Sequence, residues 1–206
     1  MMPGAAGRGA FWQPLMDELE PLGTYDCETV DWPGVGGNAP DPDVTSYADL
    51  SALLERRVEH GTNPAVLIAQ SAGGAVAIDV ALRRPELVSH LVLTATSLGI
   101  DVEALGASDW RPTPTAAPDP HRPAWVHERL PDRSAELHGL AQPTLLVWAD
   151  RDAISPLPVG RHLAHLIPGS DLLHFDSDDH WVVTAEAVTV ARRIHDLVSG
   201  DDATQR

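Results

Sequence analysis

The stretch Ala65-Val-Leu-Ile-Ala-Gln-Ser71-Ala-Gly-Gly74-Ala-Val-Ala-Ile78 decides how this chain folds. A short apolar run leads directly into Ser71, small residues follow it, and a helical pattern then continues to Arg84 and Pro85. This order predicts a buried strand, then a sharp turn, then a helix. In that arrangement the turn lifts the hydroxyl group of Ser71 clear of the sheet.

The small residues around Ser71 suit a strained turn at which backbone segments approach closely. A large side chain at Ala69 or Gly73 would clash in such a turn. The pattern is similar to the G-x-S-x-G nucleophile elbow, with Ala69 in place of the first glycine. Because alanine still fits sparsely populated backbone angles at a modest cost, we interpret Ser71 as a candidate nucleophile.

Length and composition set the class of protein. A chain of 206 residues, 43% of them hydrophobic, fits one domain with a sizeable core. No apolar run approaches the ~18–20 residues of a membrane span, and the N-terminus shows no signal-peptide pattern. The lone Cys27 excludes an internal disulfide, which is compatible with a reducing compartment. We therefore expect a cytoplasmic location and no membrane association.

The charge balance bears on possible partners. The chain has 14 basic and 30 acidic residues, which give a formal net charge of −16. A surface of this sign repels phosphate backbones, so we expect no nucleic-acid partner. The glycine-rich run of residues 34–37 lacks the Lys-Ser/Thr pair of a nucleotide-binding loop.

Strand and helix patterns alternate along the chain, which predicts an α/β fold with a mainly parallel sheet covered on both faces. The predicted strands cover residues 25–31, 65–70, 91–95, 144–149 and 172–175. The predicted helices cover residues 11–22, 46–60, 72–84, 158–166 and 184–198.

With the motif at Ser71, this order of elements resembles the α/β-hydrolase superfamily, in its branch of small esterase-like and lactonase-like enzymes. The resemblance extends from Pro3-Gly4 to about Val198. It implies a single α/β-hydrolase domain over residues 1–206, a small-molecule substrate, and neither a cofactor nor a metal.

Residues 97–142 are rich in proline, unlike the strand and helix patterns of the rest of the chain. These prolines exclude a long helix in the first half of the segment. The resemblance implies that this segment is the cap over the active site, here short and partly irregular. Trp110 and Trp125 could dock it onto the core, although Trp110 could also line a substrate pocket; we favour docking for both. The prolines are Pro112, Pro114, Pro118, Pro120, Pro123 and Pro131.

The start of the chain departs from the resembled pattern. Only Met1 and Met2 precede the turn Pro3-Gly4-Ala5, where the family has an apolar strand. The resemblance places that strand centrally, between the strands at residues 25–31 and 65–70, where its loss would leave backbone groups unpaired. We expect that N-terminal strands are missing and that the natural protein begins upstream. The alternative is a minimal sheet in which the neighbouring strands pair directly.

A serine nucleophile needs a base, and the base needs an orienting acid. The resemblance implies the chain order Ser, Asp or Glu, then His. The run Leu145-Leu-Val-Trp-Ala-Asp-Arg-Asp152 matches the family's G-x-x-D loop, with Ala149 replacing the glycine. On that register Asp152 is the acid, and Asp150 is the alternative. An acid after the preceding strand is excluded because residues 94–97 contain no carboxylate.

The base is expected after the last strand, where His180 stands. His162, His165 and His174 are less favoured because they fall on predicted helix or strand positions. Nearby acidic residues would favour the protonated form of His180 if they lie close, and that would weaken it as a base. These residues are Asp176, Asp178 and Asp179.

Two backbone N–H groups are expected to form an oxyanion hole. The resemblance implies Ala72, directly after the nucleophile, and Ala5 in the early loop; a glycine-rich turn without a ligand role is the alternative there. The acidic and histidine residues from 174 to 180 could instead suggest a metal site, but the triad explains His180 better.

These motifs predict a serine hydrolase that cleaves a small carboxylic ester, thioester or lactone through an acyl-enzyme. A carbon–carbon bond hydrolase or an acyltransferase would use the same triad. A protein of another class is also compatible with the sequence: a ligand-binding module that kept the fold and lost turnover. Ala69, Ala149, Asp179 and the missing first strands would favour that alternative.

Overall fold

The computed structural model describes residues 1–5, 7–97, 100–108 and 122–200. Within these ranges, four parallel strands form a sheet in the order β1-β2-β3-β4. The strands are β1 (Ala65–Gln70), β2 (Val88–Thr94), β3 (Thr144–Ala149) and β4 (Asp171–Phe175).

Helices connect and cover the strands. They are α1 (Gln13–Leu19), α2 (Tyr47–Glu59), α3 (Ala72–Arg83), α4 (Leu157–Leu166), α5 (Val182–Ala185) and α6 (Ala187–Ser199). Ser46 begins α2 with a capping box, in which its side chain and that of Asp49 bond each other's backbone N–H groups. None of the helices within the described residues is long and apolar enough to cross a membrane.

The sheet divides the core into two layers because alternate strand residues point to opposite faces. Leu67 and Ala69 pack in a cluster with residues of α2, α3 and α4. Ile68, between them, packs in the second cluster with residues of α1, α5 and α6. The predicted parallel sheet with helices on both faces is confirmed.

Two predicted helices are interrupted. Helix α1 ends at Leu19, and a 3₁₀ turn over Glu20–Leu22 follows, because Pro21 has no N–H group to continue the α-helical pattern. The predicted closing helix at residues 184–198 is two helices, α5 and α6, separated at Glu186 by a non-helical backbone conformation.

The predicted strand at residues 25–31 is wrong, since this segment has no regular strand structure. Met1 and Met2 lie between it and β1: Val30 N donates to Met1 O (2.9 Å), and Met2 N donates to Ile68 O (2.8 Å). Met2 forms an isolated parallel bridge with Ala69. These contacts are single bonds and an isolated bridge, and they do not form a regular ladder along residues 25–31. The alternative of direct pairing with β1 is also not observed.

The predicted cap, residues 97–142, is described at residue 97 and over residues 100–108 and 122–142, and these residues include short 3₁₀ turns. Trp125 is fully buried and meets the ring of Tyr47 edge-to-face at 5.9 Å, which confirms that it docks this segment. Arg133 donates to Asp79 on α3 at 2.8 Å. Trp110 lies outside the described residues.

Candidate active site

Ser71 occupies a strained turn between β1 and α3. Its φ of 51° and ψ of −118° are unusual for a residue with a side chain, and its N–H donates to Thr94 O at 2.8 Å. Backbone strain of this kind costs about 1–3 kcal/mol and occurs mainly at functional sites. The side chain is half-buried at the carboxyl end of β1.

The residues after Ser71 are small because other segments occupy the space beside them. A Cβ atom on Gly73 would lie 2.7 Å from Pro3 O and 2.8 Å from Met2 O, and one on Gly74 would overlap Thr96. A side chain at Gly73 would therefore clash, as expected. Because glycine has none, α3 can begin directly against the first residues of the chain.

Asp152 and His180 come together at the same edge of the sheet. Nδ1 of His180 lies 2.6 Å from Oδ2 of Asp152, and the other carboxylate oxygen, Oδ1, accepts a bond from Ile154 N at 2.8 Å. Asp152 is 2% exposed, and the His180 side chain is largely covered. The buried carboxylate thus fixes one ring nitrogen, which leaves Nε2 as the nitrogen available for proton transfer.

The alternative acid has a different partner. Oδ1 of Asp150 lies 2.8 Å from Nδ1 of His174, in an exposed pair beside β4. Of the other histidines considered, His162 and His165 lie on α4. The structure therefore brings Asp152, and not Asp150, to His180.

Two of the three acidic residues before His180 have partners of their own. Asp176 is paired with Arg151, and Oδ1 of Asp179 accepts a bond from Trp181 N at 2.8 Å. Asp178 is exposed. In this arrangement the carboxylate that contacts the His180 ring is that of Asp152.

The early loop lies against the nucleophile. A Cβ atom on Gly4 would be 3.1 Å from Cβ of Ser71, and the loop is fixed by a 2.8 Å bond from Trp32 Nε1 to Pro3 O. Ala5 follows Gly4 in this loop, and Ala72 is the first residue of α3. The two expected N–H donors therefore belong to segments that flank Ser71.

Two residues of this region were not predicted from the sequence to belong to the site. Trp32 is fully buried beneath the early loop, and Gln70 is a buried polar residue directly before Ser71. The signal for Gln70 was present, since an amide is unusual at the end of an otherwise apolar strand. Across the described ranges, no group of three or more His, Cys, Asp or Glu side chains is placed to hold a metal ion.

Comparison with known proteins gives a family match over most of the chain. A model described as the alpha/beta hydrolase family matches residues 1–188. A metagenomic alpha/beta hydrolase enzyme from sediments of the Mar Chica lagoon in Morocco has a similar structure, with a TM-score of 0.75 at 19% identity. That likeness covers 98% of this chain and 90% of the other, and at such identity it shows the fold alone.

Two relatives share the same name. A pimeloyl-[acyl-carrier protein] methyl ester esterase of Vibrio vulnificus (strain YJ016) is 33% identical over 104 residues, which are 50% of this chain and 38% of that relative. The esterase of that name from Vibrio cholerae serotype O1 is 25% identical, over 94% of this chain and 91% of its own length.

Proposed function

Because this chain belongs to the alpha/beta hydrolase family, we propose that it is a serine hydrolase that cleaves small carboxylic esters. Ser71 is the nucleophile, His180 the general base and acid, and Asp152 the orienting acid. The observation that supports this most strongly is the 2.6 Å contact between His180 and the buried Asp152, at the sheet edge where Ser71 sits in its strained turn.

In the first half-reaction, Oγ of Ser71 attacks the ester carbonyl carbon while Nε2 of His180 takes the hydroxyl proton. Asp152 stabilises the imidazolium that forms. The backbone N–H groups of Ala72 and Ala5 donate to the oxyanion of the tetrahedral intermediate. When the C–O bond to the alcohol breaks, His180 returns the proton to the leaving alkoxide, and the acyl group remains on Ser71.

In the second half-reaction, a water molecule replaces the alcohol. His180 takes one proton from the water as its oxygen attacks the acyl carbon, and it then protonates Oγ of Ser71 as the acid leaves. The net reaction is ester plus water giving acid plus alcohol. Thioesters and lactones follow the same steps with a thiol, or a tethered alcohol, as the leaving group.

The substrate is proposed to be a small neutral ester. The esterase relatives act, by their names, on a methyl ester of an acyl-carrier-protein-bound acid. We propose that this chain also cleaves methyl esters, but not esters attached to an acyl-carrier protein. The reason is its net charge of −16, which disfavours polyanionic partners, nucleic acids included. The single cysteine is compatible with the reducing environment of the cytoplasm, where we place the reaction.

The direct test is hydrolysis of short-chain p-nitrophenyl and methyl esters by the wild type and by Ser71→Ala. We expect turnover to fall by about 10⁶-fold in the variant, as in other serine triads. Ser170→Ala is the control, because that hydroxyl bonds the backbone carbonyl of Ile167, after α4, and should leave turnover unchanged. Undiminished hydrolysis by Ser71→Ala would contradict the proposal.

A further inference from the structure

Gln70 is a buried amide at the carboxyl end of β1, directly before the nucleophile. It is 3% exposed, and the residues that precede it in the strand, Leu67, Ile68 and Ala69, are apolar. Burying an amide costs free energy unless its polar atoms find partners. A residue of this kind at this position therefore needs local contacts that compensate for its burial.

The amide of Gln70 lies between two loops. Its Nε2 atom donates to the backbone carbonyl of His180 at 3.5 Å, the long end of the hydrogen-bond range. On the other side, a Cβ atom on Gly4 would overlap Oε1 of Gln70, so this glycine leaves the space that the amide fills. One side chain thus lies against both the early loop and the loop that carries His180.

The contact with His180 is to the same residue whose ring meets Asp152. Asp152 fixes the imidazole through Nδ1, and Gln70 approaches the backbone carbonyl of that residue. Two anchors, one on the ring and one on the backbone, restrict the position of Nε2 better than either alone.

We propose that Gln70 is a positioning residue that holds His180 and the Gly4–Ala5 loop in place relative to Ser71. This inference rests on the proposed function, because it assigns Gln70 to the alignment of that triad. In this role Gln70 acts through His180 and the Gly4–Ala5 loop, and not on the substrate directly. Its effect is on the rate at which Ser71 is activated, and not on substrate affinity.

The test compares Gln70→Met with Gln142→Met. Gln142 is a matched control, since it is also buried and its Nε2 donates to a backbone carbonyl, Ala81 O, at 3.4 Å. We expect Gln70→Met to slow phosphonylation of Ser71 by a fluorophosphonate, and kcat for an ester, by about 10- to 100-fold. KM should change less than about twofold. Gln142→Met should match the wild type in labelling rate, kcat and KM.

A second readout does not depend on turnover. The proton between Nδ1 of His180 and Asp152 should give a downfield proton NMR signal, which we expect to shift or broaden in Gln70→Met and not in Gln142→Met. Equal labelling rates and equal spectra in the two variants would overturn the role of Gln70. If wild-type Ser71 is not labelled, the proposed function fails, and the NMR comparison alone decides whether Gln70 positions His180.

If Gln70→Met does not fold, a second variant tests the same inference. Gln70→Asn keeps the amide but withdraws it by one methylene, so it should no longer reach the His180 carbonyl. We expect the same slow labelling and altered signal from Gln70→Asn in a folded protein. Wild-type behaviour of this variant would overturn the inference.

Discussion

Asp152 and His180 are 28 positions apart in the sequence, yet Oδ2 of the first lies 2.6 Å from Nδ1 of the second. The register of two parallel strands explains the contact. Ala149, the last residue of β3, pairs with Phe175, the last residue of β4. The loops that follow these strands therefore start side by side, and each places its functional residue at the same edge of the sheet.

Asp152→Asn and Asp150→Asn should differ sharply in their effect on ester hydrolysis. An amide at position 152 would no longer favour the tautomer that leaves Nε2 able to accept a proton, and we expect kcat/KM to fall by about 10⁴-fold. Asp150 meets His174 at the surface, so its variant should stay within about threefold of the wild type. Equal losses would show that Asp152 is not the orienting acid.

Gly73→Ala should destabilise the protein, because the added Cβ would meet the backbone oxygens of Pro3 and Met2. Overpacking of this kind costs about 1–3 kcal/mol. Gly139→Ala is the matched change, since its Cβ would meet only Leu82 at an ordinary 3.7 Å. Urea denaturation of both variants measures the difference. If Gly73→Ala is as stable as Gly139→Ala, the tight approach at the turn is not present in solution.

Trp125→Ala should loosen the segment that follows residue 122. This tryptophan is fully buried, and truncating such a side chain costs about 3–5 kcal/mol. Trp181→Ala is the control for stability, because that side chain is 54% exposed and its loss should cost less than about 0.5 kcal/mol. Similar free energies of unfolding for the two variants would mean that the segment is not docked through Trp125.

Asp79 should make stability depend on pH in the acid range. Burial acts to raise the pKa of its carboxyl, but hydrogen bonds from Ser51, Arg133 and Arg83 outweigh this and hold the pKa below its usual 3.8. A carboxyl whose pKa is lower in the folded state stabilises it above the unfolded pKa. That stabilisation is lost as the pH falls through the folded value.

Asp79→Asn should therefore lower the free energy of unfolding at pH 7, by about 1 kcal/mol. Near pH 2 the deficit relative to the wild type should shrink. Asp43→Asn, which changes an exposed carboxylate, is the comparison variant. Urea midpoints at the two pH values provide the measurement. A deficit for Asp79→Asn that is as large near pH 2 as at pH 7 would contradict the assigned role.

The sequence predicted those parts of the fold that depend on local pattern. The strands expected at residues 65–70 and 144–149 have those bounds, because each is an apolar run ended by a turn. The segment at residues 25–31 was predicted wrongly, since strand structure there depends on a partner segment, and its bond from Val30 N to Met1 O is not part of a regular ladder. Pairing is a property of two segments, and one segment's composition does not reveal it.

In the candidate site, too, the sequence predicted what depends on local pattern and did not predict contacts between distant segments. The order and spacing of Ser71, Asp152 and His180 were visible in the sequence, and the structure brings the last two into contact. The contacts of Gln70 were not visible, because they depend on how an amide is oriented between loops from distant parts of the chain.

The central claim is that Ser71 is an activated nucleophile, and covalent labelling tests it most directly. Purified protein is incubated with a fluorophosphonate, digested, and analysed by peptide mass spectrometry, with Ser71→Ala and Asp152→Asn alongside. We predict one adduct, on Ser71, that is absent in Ser71→Ala and much slower in Asp152→Asn. A folded wild-type protein without an adduct, or with the adduct on another residue, would contradict the account.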